Sequence, residues 1–175
     1  MRVVDVLVRG MGRTGTILDA RWKLLNAARD WLEAAGSLDA IIDIVRQSAR
    51  SICSADGVAF VLRDGDKCHY VEEDAIGPLW RGQRFPLTAC ISGWAMLNGK
   101  TAVIEDIYAD DRIPHDAYRR TFVKSLVMVP VRAQGAVAAI GAYWADQRHF
   151  VVQEIAVIEA LADAVGDAMK IAEAA

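Results

Sequence analysis

The stretch 106–144 changes character halfway along, and that change restricts what the chain can fold into. Residues 106–123 are polar and charged, with Asp106, Asp110, Arg112, His115 and Tyr118 among them. Residues 126–131 and 137–144 are almost wholly apolar and are joined by a turn at 133–135 that carries Gly135. Short apolar runs bounded by a turn read as strands of a sheet interior. A polar loop leading straight into core strands describes a pocket lid attached to its floor. A small-molecule or redox sensing module is therefore expected.

Composition narrows the classes further. A chain of 175 residues fits one domain that buries roughly 70% of its unfolded surface and needs no staples. The net charge is −3 with Lys and Arg scattered along the chain, which lacks the basic face of a nucleic-acid binder, so no nucleic acid is expected as a partner. Cys53, Cys68 and Cys90 are odd in number and contain no C-x-x-C pair, which implies neither a zinc site nor a disulfide framework and suits a reducing cytoplasm. The uncharged run 133–145 falls short of the ~18 apolar residues of a membrane span. The apolar patch 3–8 is shorter than a signal h-region of roughly 7 to 15 residues. A cytoplasmic protein without a membrane span is the expectation.

Near the N-terminus, Val3, Val4, Val6, Leu7 and Val8 are β-prone and precede Gly10, Gly12 and Gly15 in G-x-G-x-x-G spacing. A dinucleotide fingerprint needs a second strand ending in an acidic residue about 20 positions on, whereas 37–52 reads as a helix. Thr16-Ile17 stands where a phosphate-cradling loop needs Lys-Ser/Thr. Residues 1–16 are thus expected to be a flexible leader and 17–173 a single domain. Leu18, Trp22, Leu25, Ala28 and Leu32 mark a first helix over 17–35. Gly36 stops it, Ser37 is placed to N-cap the next helix, and Ile41, Ile44, Val45, Ser48, Ala49 and Ile52 form that helix's buried face. A strand over 58–62, a turn at 63–66 and a strand over 67–73 make an antiparallel hairpin.

Residues 75–86 look irregular, 91–97 form a short helix ended by Asn98-Gly99, and 101–105 form a short strand. One helical turn is expected in the lid at 116–120. From Val152 onward, Ile155, Ile158, Ala162, Val165, Met169 and Ala172 follow steps of three and four, the pattern of a coiled-coil seam. Such a seam meets a partner helix or packs on its own sheet.

With this order in place, the chain resembles a GAF domain over 18–172. The likeness is carried by Ile91-Ser92-Gly93-Trp94-Ala95 with Gly99-Lys100, by Asp106-Ile107 with Asp110 and Arg112, by Ser125-Leu126-Val127 with Val129-Pro130-Val131, and by Ile140-Gly141-Ala142-Tyr143-Trp144 followed by Phe150 and Glu154. The closing motif looks especially like GAF modules N-terminal to proteobacterial sensor histidine kinases. The resemblance implies an α+β fold: an antiparallel sheet with the N- and C-terminal helices on one face and a lidded small-molecule pocket on the other. It also implies a homodimer joined through its terminal helices and signalling to a downstream kinase or other output domain.

Candidate pocket residues are Trp80, Cys90, Trp94, Asp106, Asp110, Arg112, His115, Tyr118, Ser125 and Trp144, with no catalytic residue and no metal ligand among them. Arg112 with Asp106 and Asp110 could clamp a carboxylate or phosphate. The simpler reading, preferred here, has both aspartates capping loop amides and Arg112 paired with one of them. Gly141 leaves room for a ligand or a helix backbone. Bilin-binding relatives attach their chromophore through a Cys-His pair in the lid, and Pro114 precedes His115 here, which excludes that bond. The cyclic-nucleotide signature lacks its Asn-Lys half, so the cofactor or ligand is left unidentified. Free methionine sulfoxide reductase is the enzymatic alternative, centred on Cys90. It needs cysteines at the short helix and in the lid, and the lid has none. A ligand-free dimerisation module is the third reading.

Overall fold

A computed structural model describes residues 3–175, with side chains from residue 15 onward. Helices α1 (Val3–Glu33) and α2 (Leu38–Cys53) come first, followed by strands β1 (Gly57–Asp64), β2 (Lys67–Ala75) and β3 (Arg84–Pro86). Then come α3 (Ile91–Asn98), β4 (Ala102–Ile104), the single-turn helix α4 (His115–Tyr118), β5 (Ser125–Ala133), β6 (Gly135–Trp144) and α5 (Val152–Ala174). The six strands form one sheet in the order β3-β2-β1-β6-β5-β4, and every neighbouring pair is antiparallel.

Strand alternation divides the interior into two cores. Val58 and Phe60 of β1, Val127, Val129 and Val131 of β5, and Ala138, Ile140, Ala142 and Trp144 of β6 face α1, α2 and α5. Ala59 and Val61, Leu126 and Met128, and Ala139 and Tyr143 face the opposite way, toward α3 and the lid. The helix end signals act as the sequence suggests. Ser37 accepts from the Ala40 N–H at 3.2 Å, and Gly99 closes α3 at φ 59°, a left-handed conformation that glycine adopts without strain.

Two features differ from the sequence reading, and the α5 seam takes one of the two courses left open for it. Helix α1 begins at Val3, so Gly10, Gly12 and Gly15 lie within one helix and not at a strand-to-helix turn. A helical glycine is only about 1 kcal/mol worse than alanine, which a long helix tolerates. Strand β3 lies where the sequence looks irregular, because three residues are too few to show a period. It exists through pairing, with Cys68 opposite Phe85 and Lys67 opposite Pro86, at a sheet edge where a proline's missing N–H is harmless. The apolar seam of α5 turns inward, with Ile158, Ala162, Val165 and Met169 all in the helix-side core. A different seam faces solvent: Ile17, Ala20, Leu24, Ala27 and Trp31 of α1 are all exposed, as is Ala34 in the turn after it, Ile17 and Trp31 by 56% and 58%. No helix among the described residues is long and apolar enough to cross a membrane.

Candidate functional site

On the lid side of the sheet, Trp80 stands at the centre of an aromatic cluster. Its ring lies 4.7 Å from Tyr118, 5.6 Å from Tyr70 and 5.7 Å from Tyr143, all edge-on, the arrangement that ring quadrupoles favour. Its indole Nε1–H donates to the Ala117 carbonyl at 3.2 Å, which ties the loop before β3 to α4. Glu73, near the end of β2, fixes that loop. Its carboxylate accepts from the backbone N–H groups of Leu79, Trp80 and Arg81 at 3.0, 2.9 and 2.9 Å. Three charge-assisted bonds on one side chain make Glu73 the loop's anchor. Glu73→Ala is expected to destabilise the fold by about 1–3 kcal/mol and to shift Trp80 emission to the red. Unchanged emission and unchanged urea midpoint would remove Glu73 from this role.

Two neighbouring spaces adjoin Trp80. A groove of about 500 Å³ is lined by Pro78, Leu79, Gln83, Phe85, Asp116 and Arg120 along with Trp80. Sharing Trp80, Phe85 and Ala117 with it, a smaller cavity of about 50 Å³ reaches Tyr70, Cys90, Pro114 and Tyr118. Behind Trp80, the Tyr143 hydroxyl is buried with no hydrogen-bond partner among the described residues. Burial pushes the Tyr70, Tyr118 and Tyr143 phenols well above their ordinary value, so all three are protonated donors. The room beside Gly141, expected for a ligand or a helix, is taken by the Tyr143 ring and by Met128, whose Cε would sit 2.7 Å from an added Cβ.

The charged lid residues satisfy one another. Asp106 accepts from the Tyr108 N–H at 2.9 Å. Asp110 accepts from the Arg112 N–H and Nε, both at 2.9 Å, and from Nη2 at 2.6 Å, and this guanidinium holds its carboxyl below the ordinary carboxylate range. Arg112 also lies over the Trp94 ring, 4.5 Å from its centroid. His115 Nε2 lies 2.9 Å from the Ile107 carbonyl and 3.2 Å from that of Asp110. Two acceptors require the proton on that nitrogen. Asp106, Asp110 and Arg112 therefore satisfy one another and the loop amides, as the simpler reading of the loop has it, while Trp94 and His115 add contacts to the lid.

Two candidates lie elsewhere. Trp144 belongs to the helix-side core, with its Nε1–H donating to the Ser54 carbonyl at 2.9 Å. Ser125 is its register partner and donates to the Asp146 carbonyl at 2.8 Å. Side chains alternate along a strand, so the pocket face at this end of β6 belongs to Tyr143.

Beneath the small cavity lies a cluster that sequence spacing does not reveal. Cys68 of β2 and Cys90, at the N-cap of α3, are both buried in the lid-side core. Cys90 Sγ is 3.3 Å from Ser92 Oγ, which is 3.0 Å from the Tyr70 hydroxyl. The neighbouring Cys68 thiol, with the Ser92 hydroxyl, draws the Cys90 thiol below its ordinary value against the opposing effect of burial. Its Cys90 neighbour and burial push Cys68 up. Cys53, in the other core, is pushed up to about 12 by burial.

The sequence profile of the GAF domain matches residues 35–170, most of the chain. The chain belongs to the GAF domain family. Among solved structures, it is similar to free methionine-R-sulfoxide reductase from Neisseria meningitidis, 15% identical over 90% of this chain and 92% of that one, with a TM-score of 0.77. It is similar to the GAF domain of a phosphoenolpyruvate-protein phosphotransferase from Coxiella burnetii, 16% identical over 90% and 96%, TM-score 0.77. A putative GAF sensor protein from Burkholderia vietnamiensis is 16% identical over 90% and 98%, TM-score 0.75. No curated protein sequence matches the chain significantly. Likeness at such identities establishes the fold and leaves function to the site.

Within this GAF domain, Trp80, Cys90 and Tyr118 are the candidates that meet at the cavity. Sequence reasoning missed Tyr70, Glu73 and Tyr143. Tyr143 was detectable from strand parity, and Glu73 from an acidic residue shortly before a Gly-Pro loop. Among the described residues no cluster of His, Cys, Asp and Glu is arranged to hold a metal.

Proposed function

We propose that this GAF domain is the sensory module of a cytoplasmic bacterial signalling protein, binding a small molecule in the groove between the loop 78–85 and α4. The observation that carries this reading is the groove itself. Its volume of about 500 Å³ lies within the ~300–1,000 Å³ of small-molecule sites. It has an aromatic floor, with Arg120, Asp116 and Gln83 at its rim and the unpartnered Tyr143 hydroxyl behind Trp80. A ligand there would contact both the Glu73-anchored loop and α4, and its preference for one lid position would bias the domain between two states. The exposed seam of α1 would carry that bias across a homodimer to an output domain such as a histidine kinase, since apolar residues at steps of three and four favour a helical partner.

Native mass spectrometry of the protein as purified, with an absorbance spectrum, tests this. A dimer mass with a non-covalent adduct is expected. Ala117→Trp, which fills the groove, should remove the adduct and keep the dimer, whereas Leu24→Glu with Trp31→Glu should give monomer. A wild-type monomer at high concentration, with no adduct and no metabolite that raises its Tm, would sink the proposal. The reductase alternative gains one specific support, because Cys68 places a second thiol in the same buried core as Cys90. The cavity at Cys90, about 50 Å³, is far below the ~300 Å³ lower bound for small-molecule sites, and this favours the sensory reading. Turnover of free methionine sulfoxide by the wild type and its loss in Cys90→Ser would reverse that order.

A further inference from the structure

We propose that the exposed seam of α1 pairs with the same seam on a second copy of this chain, and that the two helices run antiparallel. This rests on the homodimer proposed above and fixes its direction and register. Along the seam large and small side chains alternate: Ile17, Leu24 and Trp31 are large, and Ala20, Ala27 and Ala34 stand between and after them at steps of three and four. Residues so spaced share one helix face. Ala34 continues it past the end of α1, where its N–H still donates to the Asp30 carbonyl at 3.3 Å. The large three are 56, 46 and 58% exposed, whereas Arg21, Leu25, Ala28 and Leu32 on the adjacent face are buried in the fold.

The alternation decides the direction. In an antiparallel pair with its two-fold axis beside Leu25 and Asn26, Ile17 meets the partner's Ala34, Ala20 meets the partner's Trp31, and Leu24 meets the partner's Ala27. Every layer then sets one large side chain against one small one, which fills the space between two helices evenly. A parallel pair would set Trp31 on the partner's Trp31 and Ala20 on the partner's Ala20. One layer would be overfilled and another left with a gap, and close packing disfavours both.

Charge points the same way. Lys23 and Asp30 flank the seam on the side away from the buried face, both exposed, and neither forms an ion pair among the described residues. One heptad separates them, about 10 Å along the axis, too far for them to pair with each other. The antiparallel register brings Lys23 to the partner's Asp30 and, by symmetry, Asp30 to the partner's Lys23, the self-complementary contact of a two-fold dimer. A parallel pair turns Lys23 toward the partner's Ala28, which offers no charge. Helices α1 and α5 point the same way, since Arg21 meets Glu154 at the start of α5, and Leu38 and Ile41, just past α1, share a cavity with Met169 and Ala172 near the end of α5. The two α5 helices therefore leave such a dimer in opposite directions, and rotation of one α1 against the other would change the distance between their ends.

Cysteine variants of the full chain read the direction, since the native cysteines are all buried. After mild oxidation, a mixture of Ala20→Cys and Trp31→Cys chains should give a disulfide-linked dimer whose cross-linked peptides carry positions 20 and 31. Neither variant alone should cross-link, because each new thiol lies about 16 Å along the axis from its own counterpart. Charge reversal reads the register. Lys23→Glu should raise the dimer Kd about tenfold, the effect of turning two exposed ion pairs repulsive, as measured by sedimentation equilibrium, and adding Asp30→Lys should restore it. Disulfide dimers from each variant alone would show a parallel pair, which overturns the proposal and leaves the homodimer standing. A mixture that does not cross-link, or a charge reversal that Asp30→Lys does not repair, would also overturn it. A wild-type chain that stays monomeric at high concentration removes the homodimer and this register together.

Discussion

Gly93→Ala is expected to destabilise this protein by about 3 kcal/mol or more, the upper range for forcing extra volume into a packed core, and so to lower its Tm by roughly 10 °C. An alanine Cβ there would land on the Leu87 carbonyl, with Leu87 Cα only 2.6 Å away. These are backbone atoms, so no side chain can rotate aside, and either α3 or the single 3-10 turn at Leu87–Ala89 must move. Movement would also disturb the Cys90 cavity. The control is Gly15→Ala, on an exposed turn of α1 with nothing within 4 Å of the new Cβ. It should be neutral or stabilising by about 0.5–1 kcal/mol, because alanine loses less backbone entropy in a helix. A Gly93→Ala protein that melts within 2 °C of wild type, on a scale of roughly 2–4 °C per kcal/mol, would show that α3 has freedom the packing denies it.

Arg21→Met should cost about 2–3 kcal/mol, measured as a fall in the urea midpoint at unchanged slope. Arg21 is only 3% exposed and joins three helices. Its Nε–H donates to the Ile52 carbonyl of α2 at 2.7 Å, and its Nη1 is 3.6 Å from the Glu154 carboxylate of α5. Burial pulls its pKa down from the ordinary arginine value, against the opposing pull of Cys53 and Glu154. Methionine keeps the apolar stem and leaves the Ile52 carbonyl unpaired. Glu154 retains Arg148 at 2.7 Å, which limits the loss. Arg21→Lys should recover only part of it, since an ammonium is a point donor and lacks the guanidinium fork. A methionine variant within about 0.5 kcal/mol of wild type, the range of ordinary surface substitutions, would reduce Arg21 to a filler. Its place was visible in the sequence as one arginine on the stripe between Leu18 and Leu25, although a charged residue there reads as an interruption until its partners are known.

Much of the fold was legible because periodicity is local. Alternation in 58–62, 126–131 and 137–144 marked strands with two apolar faces, and the same parity, applied strictly, would have moved Trp144 and Ser125 off the pocket and put Tyr143 on it. The spacing of Leu18, Leu25, Ala28 and Leu32 marked the buried face of α1. The same helix leaves Ile17, Leu24 and Trp31 outside, while the α5 seam turned inward, because a seam specifies a helical face and not what covers it.

The sequence by itself determined the elements, their caps at Ser37 and Gly99, the antiparallel sheet and the self-paired lid, since each follows from residues close together in the chain. Tertiary structure alone decided β3, which exists only by pairing, and the attachment of the loop to Glu73. It also decided the meeting of Tyr70 with Ser92, whose hydroxyls lie 3.0 Å apart. Those residues sit on separate elements with no spacing signal between them, and only the packing of α3 across β2 brings the two hydroxyls together.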